Sequence, residues 1–367
     1  MLQRIGYIDG LKIFAIFTVV LGHVCQNYGN NIEKAVEQIG ILPYHIPLFA
    51  MISGFFLNYT LDAKSFIYKK FIQIALPFLA WCFIDAIIIR GIKETYWHVT
   101  GDFTIHFKSW VGCLFMSIVR WNWWFVRALF LSFVCAYFSI RICKRNVVIG
   151  VVLSVVLLYT LSLTGIIPNK ILNDFIFIFP FFCTGIVLKK YEIIIHHYER
   201  TMFACSAIIF TICMFFWQGY NDSFYDMNTS MLEPEGRAGI TGIMVPVKML
   251  YRFVTGVSGS LMLWLFAKKM AMHLSAPPYL LKVGQATLGI YILHGFAFKI
   301  FTPPINHILF DNHILSLIVC LIVSLIIMIV ANWIIQFTSK SSLLALLLWG
   351  KQIGYKFHEK DSQNWVR

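Results

Sequence analysis

Runs of about twenty apolar residues recur along the whole chain, and no other feature limits the fold as strongly. A helix crossing a bilayer needs roughly 20 mostly apolar residues. Ten stretches meet that requirement, at 9–27, 41–60, 71–89, 123–140, 147–166, 172–188, 201–219, 250–267, 284–301 and 314–338. Inside lipid every backbone polar group must be satisfied within the protein, which leaves helices and closed barrels. Runs of this length without period-two alternation point to helices. The chain is therefore expected to be an all-α polytopic integral membrane protein with about ten transmembrane helices. The apolar stretch Val111–Val119 is too short to span and is expected to be interfacial or re-entrant. No small-residue cleavage site follows the first run, Ile13–Cys25, so it is read as a retained helix.

Composition agrees. Of the 367 residues, 59% are hydrophobic and 13% charged, against about 25% charged in a soluble domain. The net charge of +13 is scattered between the apolar runs and forms no basic stripe, so nucleic acid is not an expected partner. The loop charges test the helix count independently. With the termini and alternate loops assigned to the cytoplasm, those segments hold 18 Lys and Arg, among them Arg4, Lys64, Lys69, Lys70, Arg141, Lys144, Arg145, Lys189, Lys190, Arg200, Lys268, Lys269 and Lys340. The opposite loops hold 8, namely Lys34, Arg90, Lys93, Lys108, Arg120, Lys170, Arg237 and Lys248. Positive residues favour the cytoplasmic side, so both termini are expected there. The membrane region is expected over 1–340, with a cytoplasmic tail over 341–367. The nine cysteines lie mostly inside apolar runs without CxxC spacing and are expected to be buried small apolar residues.

Ionisable groups within membrane spans are costly, and each is a functional candidate. The first helix carries Asp9, Lys12 and His23. The eleven-position separation of Lys12 and His23 is close to three turns, so both project from one face roughly 16 Å apart, with Asp9 one turn before Lys12 and able to pair with it. In the second run Pro43 and Pro47 disturb the helix start around His45, while Ser53-Gly54 permits close backbone approach. Such a start lines a cavity or simply kinks the helix. The fourth run opens Trp121-Asn-Trp-Trp-Phe-Val-Arg127, where the indoles serve as an interfacial belt or as platforms for a sugar face. Arg127 is either buried there or snorkels outward. In the ninth run Tyr291 and His294 are one turn apart on one face.

Taken in order, these segments resemble the integral-membrane acyltransferase-3 family, in particular its fucose-acetylase-like and capsule-modifying branch. Asp9, Lys12 and His23 are similar to its opening signature of an Asp, a basic residue and, after ten intervening residues, a His. His45, Pro47, Leu48, Phe49, Ser53, Gly54 and Leu57 are similar to its second segment. Trp124-Phe125 and Leu288-Gly-Ile-Tyr-Ile-Leu-His294 are similar to two later elements. Where the family has Arg-x-x-Arg, this chain has Lys70 and Gln73. Gln73 cannot replace a guanidinium.

The resemblance implies a multi-pass enzyme of the bacterial inner membrane. It would transfer an acyl group, usually acetyl from cytoplasmic acetyl-CoA, to a sugar hydroxyl of a surface polysaccharide or its lipid-linked precursor. It implies His23 as general base or as the acylated group itself, with Lys12 and Asp9 beside the donor path. Lys70, Lys69, Gln73 and Ser53 are the donor-binding candidates. The candidates for holding the acceptor are His45, Trp123, Trp124, Arg127, Tyr291 and His294. No metal is expected; acyl-CoA, the sugar acceptor and membrane lipid are the expected partners. The alternative is a transporter or flippase for a polysaccharide precursor, with His23, Arg127 and His294 lining its path.

Overall fold

A computed structural model describes residues 6–28, 42–100, 110–119, 123–164, 169–216, 244–271, 278–305 and 313–351. Regular structure in these residues is helical. The helices are α1 (Gly6–Tyr28), α2 (Leu42–Phe55), α3 (Ala63–Lys70), a π-helical turn (Phe71–Ala75), α4 (Leu76–Thr100), α5 (Trp110–Val119), α6 (Trp124–Ile142) and α7 (Val147–Thr164). They continue with α8 (Asn169–Lys190), α9 (Glu192–His197), α10 (Glu199–Phe215), α11 (Met244–Ala271), α12 (Pro278–Ile305), α13 (His313–Thr338) and α14 (Ser342–Trp349). Arg4, most of the polar stretch 220–248 and the tail beyond 351 lie outside the described residues.

Each of the ten apolar runs forms a helix. Five of the described helices are long and apolar enough to cross a membrane: Tyr7–Cys25, Ala63–Ile88, Trp124–Ile142, Leu250–Met270 and Ile314–Thr338. Two boundaries differ from the sequence reading. The run expected over 41–60 is a helix of only 14 residues, about 21 Å at 1.5 Å per residue, and Phe56 to Asp62 lie outside it, starting with a turn in which the Leu57 N–H donates to the Gly54 carbonyl. Pro47 is accommodated inside it. The second difference concerns Lys64, Lys69 and Lys70. The charge pattern assigns them to a loop, whereas they belong to a helix that continues through the π-turn into α4. Asp62 starts that helix by accepting the Ser65 backbone N–H at 3.0 Å, and the hydrogen bonds from Ser65 hold its carboxyl below the ordinary value.

Two close approaches set the bundle. Helices α2 and α8 cross where Gly54 meets Gly185. A Cβ at Gly54 would lie 1.9 Å from the Phe182 carbonyl oxygen, and one at Gly185 would lie 1.9 Å from that of Met51. Only glycine permits backbones this close, as the Ser53-Gly54 pair suggested. Helix α1 runs beside α12: a Cβ at Gly284 would meet the Asp9 Cβ at 2.7 Å. Fourteen residues further along each helix, the His23 and Phe298 rings are 6.2 Å apart. The two helices therefore run parallel and in register. The core is aromatic, with Phe66 stacked on Tyr137 at 3.8 Å and Phe133 edge-on to Phe182 at 4.8 Å.

After α13 the chain folds back. Trp81 Nε1–H donates to the Leu348 carbonyl at 3.0 Å and Trp349 Nε1–H to Thr338 Oγ1 at 2.9 Å. Gly350 ends α14 at φ +63°, a left-handed cap that glycine adopts without strain. It packs against Ile72 and Gln73 of the π-turn.

Candidate active site

Helix α1 carries the first three candidates. Lys12 Nζ lies 3.8 Å from Asp9 Oδ1 and 5.4 Å from the centre of the Phe56 ring. Asp9 is buried and Lys12 half-buried. Three turns along, the His23 side chain is exposed, so a reacting group can reach it. Its ring centre is 5.3 Å from that of His294, which is 3% exposed. Periodicity on a single helix predicted the Asp9–Lys12 pair. The approach of His23 to His294 depends on α1 lying against α12.

His294 Nδ1 is 3.3 Å from the Ile290 carbonyl oxygen. A carbonyl can only accept, so Nδ1 carries the hydrogen of this contact. One turn earlier Tyr291, also buried, has its ring centre 5.3 Å from that of His294. The Tyr291 phenol lies beside the Phe125 backbone, within electrostatic reach of Arg127 and Asp174. The rings of His23, His294 and Tyr291 thus line up between α1 and α12, with the Arg127–Asp174 pair of α6 and α8 within electrostatic reach of Tyr291.

Arg127 does not snorkel. Its side chain is 9% exposed, with Nη2 donating to Asp174 Oδ2 at 2.5 Å and Nη1 donating to the Ile118 carbonyl at 2.7 Å. Desolvating such a pair is expensive, and removing one partner of a buried pair costs about 3–5 kcal/mol. Trp123 is 1% exposed, and its Nε1–H donates to the Ile292 carbonyl at 3.4 Å. A sugar face cannot stack on an indole covered in this way, so Trp123 braces α6 against α12. Trp124 is half-buried beside Phe177. His45 is buried at the start of α2, and Ser53 is half-buried at its crossing with α8.

The donor candidates form a separate group around the π-turn. Lys70 Nζ lies 3.5 Å from the centre of the Phe133 ring. Lys69 is half-buried and Gln73 is exposed beside Gly350. π-Helical turns are rare and frequent at functional sites.

Several buried polar groups went unnoticed in the sequence: Asp174, Arg252, and Asp85, whose Oδ2 accepts from Ser117 Oγ at 2.9 Å. The costly-charge criterion that singled out Lys12 would have found all three ionisable residues, because each lies within an apolar run.

Comparison with known proteins gives the family of the chain. The nodulation protein NolL of Sinorhizobium fredii (strain NBRC 101917 / NGR234) is 22% identical over 318 residues, covering 80% of this chain and 77% of NolL. NolL of Mesorhizobium japonicum (strain LMG 29417 / CECT 9101 / MAFF 303099) is 21% identical over 313 residues, covering 80% and 76%. No solved structure matches. Residues 5–333 match the acyltransferase domain of the family Acyl_transf_3, so the chain belongs to that family and is a membrane acyltransferase.

Proposed function

We propose that this enzyme moves an acetyl group from acetyl-CoA to a sugar hydroxyl of a surface polysaccharide or its lipid-linked precursor. The reading has the chain in the bacterial inner membrane, with ten spans and both termini cytoplasmic. The observation that carries it is an exposed His23 beside the buried His294, three turns along α1 from Asp9 and Lys12. In this reading Lys70 and Lys69 meet the donor phosphates at the cytoplasmic mouth, and Lys12 compensates charge along the path. The long arm of the donor brings the thioester to His23.

The His23 imidazole takes the proton of the sugar hydroxyl as its oxygen attacks the thioester carbonyl. The C–S bond breaks, the thiolate takes the proton from the imidazolium, and an ester and free CoA leave. If His23 is itself acylated, its nitrogen attacks the thioester carbonyl, the C–S bond breaks and CoA leaves as the thiol with the imidazolium proton. The sugar hydroxyl then attacks the acyl-imidazole, the C–N bond breaks, and the hydroxyl proton returns to the ring nitrogen.

The test is mass spectrometry of surface polysaccharide from cells with the wild-type gene, without it, and with His23→Ala at matched membrane level. Acyl mass present with wild type and missing in the other two supports the reading and identifies the group. No acyl difference in a strain that makes the acceptor would sink it and favour transport.

A further inference from the structure

The guanidinium of Arg127 is held at two corners and unpartnered at the third edge. Nη1 is engaged by Ile118 and Nη2 by Asp174, yet Nε is buried with no hydrogen-bond partner. An unsatisfied buried donor costs roughly 1–3 kcal/mol, more when charged, and native proteins leave few of them. This one belongs to a side chain only 9% exposed. It lies within electrostatic reach of Tyr291, whose ring neighbours His294, the ring next to His23. It is therefore a buried, positively charged N–H held in a fixed direction, two residues from Phe125, whose ring packs on that of Tyr291 at 5.6 Å. Transfer of an acyl group needs such a donor where charge develops.

We infer that the open Nε–H of Arg127 binds an oxygen atom of the reacting ligands, and that Asp174 is the positioning residue that aims it. The inference deepens the acetyl-transfer reading and rests on it. Two ligand oxygens have the required chemistry: the thioester carbonyl as it becomes an oxyanion, and the hydroxyl of the sugar. Asp174 touches neither. It holds the fork from α8, and Ile118 holds it from α5, so the third edge keeps its direction. Lys at 127 would keep the charge but lose both the fork and the Nε–H.

The experiment uses the full chain in lipid nanodiscs, radiolabelled acetyl-CoA, and a lipid and polysaccharide extract from a strain lacking the gene. Wild type, Arg127→Lys, Asp174→Asn and the charge-neutral double variant Arg127→Gln/Asp174→Asn are compared. Thermal unfolding is recorded with and without each ligand beside the rate of label transfer. With folding intact, Arg127→Lys is expected to lower transfer about 100-fold, the usual loss for one such donor, and Asp174→Asn about tenfold. Acetyl-CoA should still raise the melting temperature of each as it does that of wild type.

A fall in kcat at unchanged KM assigns the carbonyl, whereas a rise in KM for the extract assigns the hydroxyl; either supports the inference. Folded variants that transfer at the wild-type rate overturn it. If the single variants do not fold, the double variant decides, because it removes the buried charges together: wild-type transfer there overturns the inference as well. A wild type that transfers nothing overturns the acetyl-transfer reading instead. In that case a melting shift by either ligand that Arg127→Lys abolishes still supports the open donor, and a shift retained by the variant removes it.

Discussion

Helices α1 and α13 are both long enough to cross a membrane, yet 67% of the α1 span is buried within the protein and only 28% of the α13 span. The buried one carries Asp9, Lys12, Thr18 and His23. Facing outward, α13 shows Ile318, Ile322, Ile326, Ile329 and Trp333. In a soluble protein apolar residues mark the inside. Here the more apolar helix lies outside, because lipid tails accept it, and polar groups retreat to the centre, where other helices satisfy them.

The largest expected effect separates chemistry from packing. His23→Ala should cut acyl transfer by about 10²–10⁴-fold, the range for losing a general base, and leave the melting temperature unchanged. Ile329→Ala on α13 should preserve transfer. A His23→Ala enzyme that still transfers would reduce α1 to scaffold.

Next come matched truncations. Ile16 on α1 is 0% exposed and Ile326 on α13 is 53% exposed. Ile16→Ala should cost about 2–5 kcal/mol of stability, and Ile326→Ala less than about 0.5 kcal/mol, read as unfolding in mixed detergent. Equal losses would mean that α13 is covered by protein, for instance a second copy, and the contrast would fail.

Gly185→Ala should cost about 1–3 kcal/mol, because the new methyl meets the Met51 carbonyl at 1.9 Å. Gly10→Ala on α1, where nothing lies within 4 Å, should be neutral or slightly stabilising. These two variants test whether the crossing of α2 and α8 is as tight as described.

The smallest effect concerns Glu199 at the start of α10. Burial acts to raise its pKa, but hydrogen bonds from Lys268 and His196 outweigh that and hold the carboxyl below its ordinary value. A depressed folded value means the stabilisation is complete above the unfolded pKa and disappears as pH falls through the folded one. The group is partly exposed, so the gain is about 0.2–1 kcal/mol. Melting temperatures of wild type and Glu199→Gln should differ slightly at pH 7 and converge on acidification. A gap that persists below the folded value would assign the loss to packing.

Much of the candidate site was legible from sequence where its members share one helix. Asp9, Lys12 and His23 follow from the 3.6-residue period, and so do Tyr291 and His294. Arg127 was visible as a costly charge, but its partner Asp174 lies 47 residues away on α8, and no local period links them. Trp123 looked like an interfacial indole because its aromatic neighbours allowed it; burial to 1% is a property of how α6 meets α12. The short α2 escaped detection because the apolar run continues past Phe55, and hydropathy does not register a turn.

By itself, the sequence determined that the chain is helical and embedded in a membrane, and that one face of its first helix is polar. Backbone hydrogen bonding in lipid and the helical repeat dictate both without reference to any neighbour. Only the tertiary structure decided that His23 lies beside His294, that Asp174 clamps Arg127, and that one buried N–H stays open. Those relations depend on which helices touch, and that choice is made by glycine crossings and aromatic packing between segments far apart in the chain.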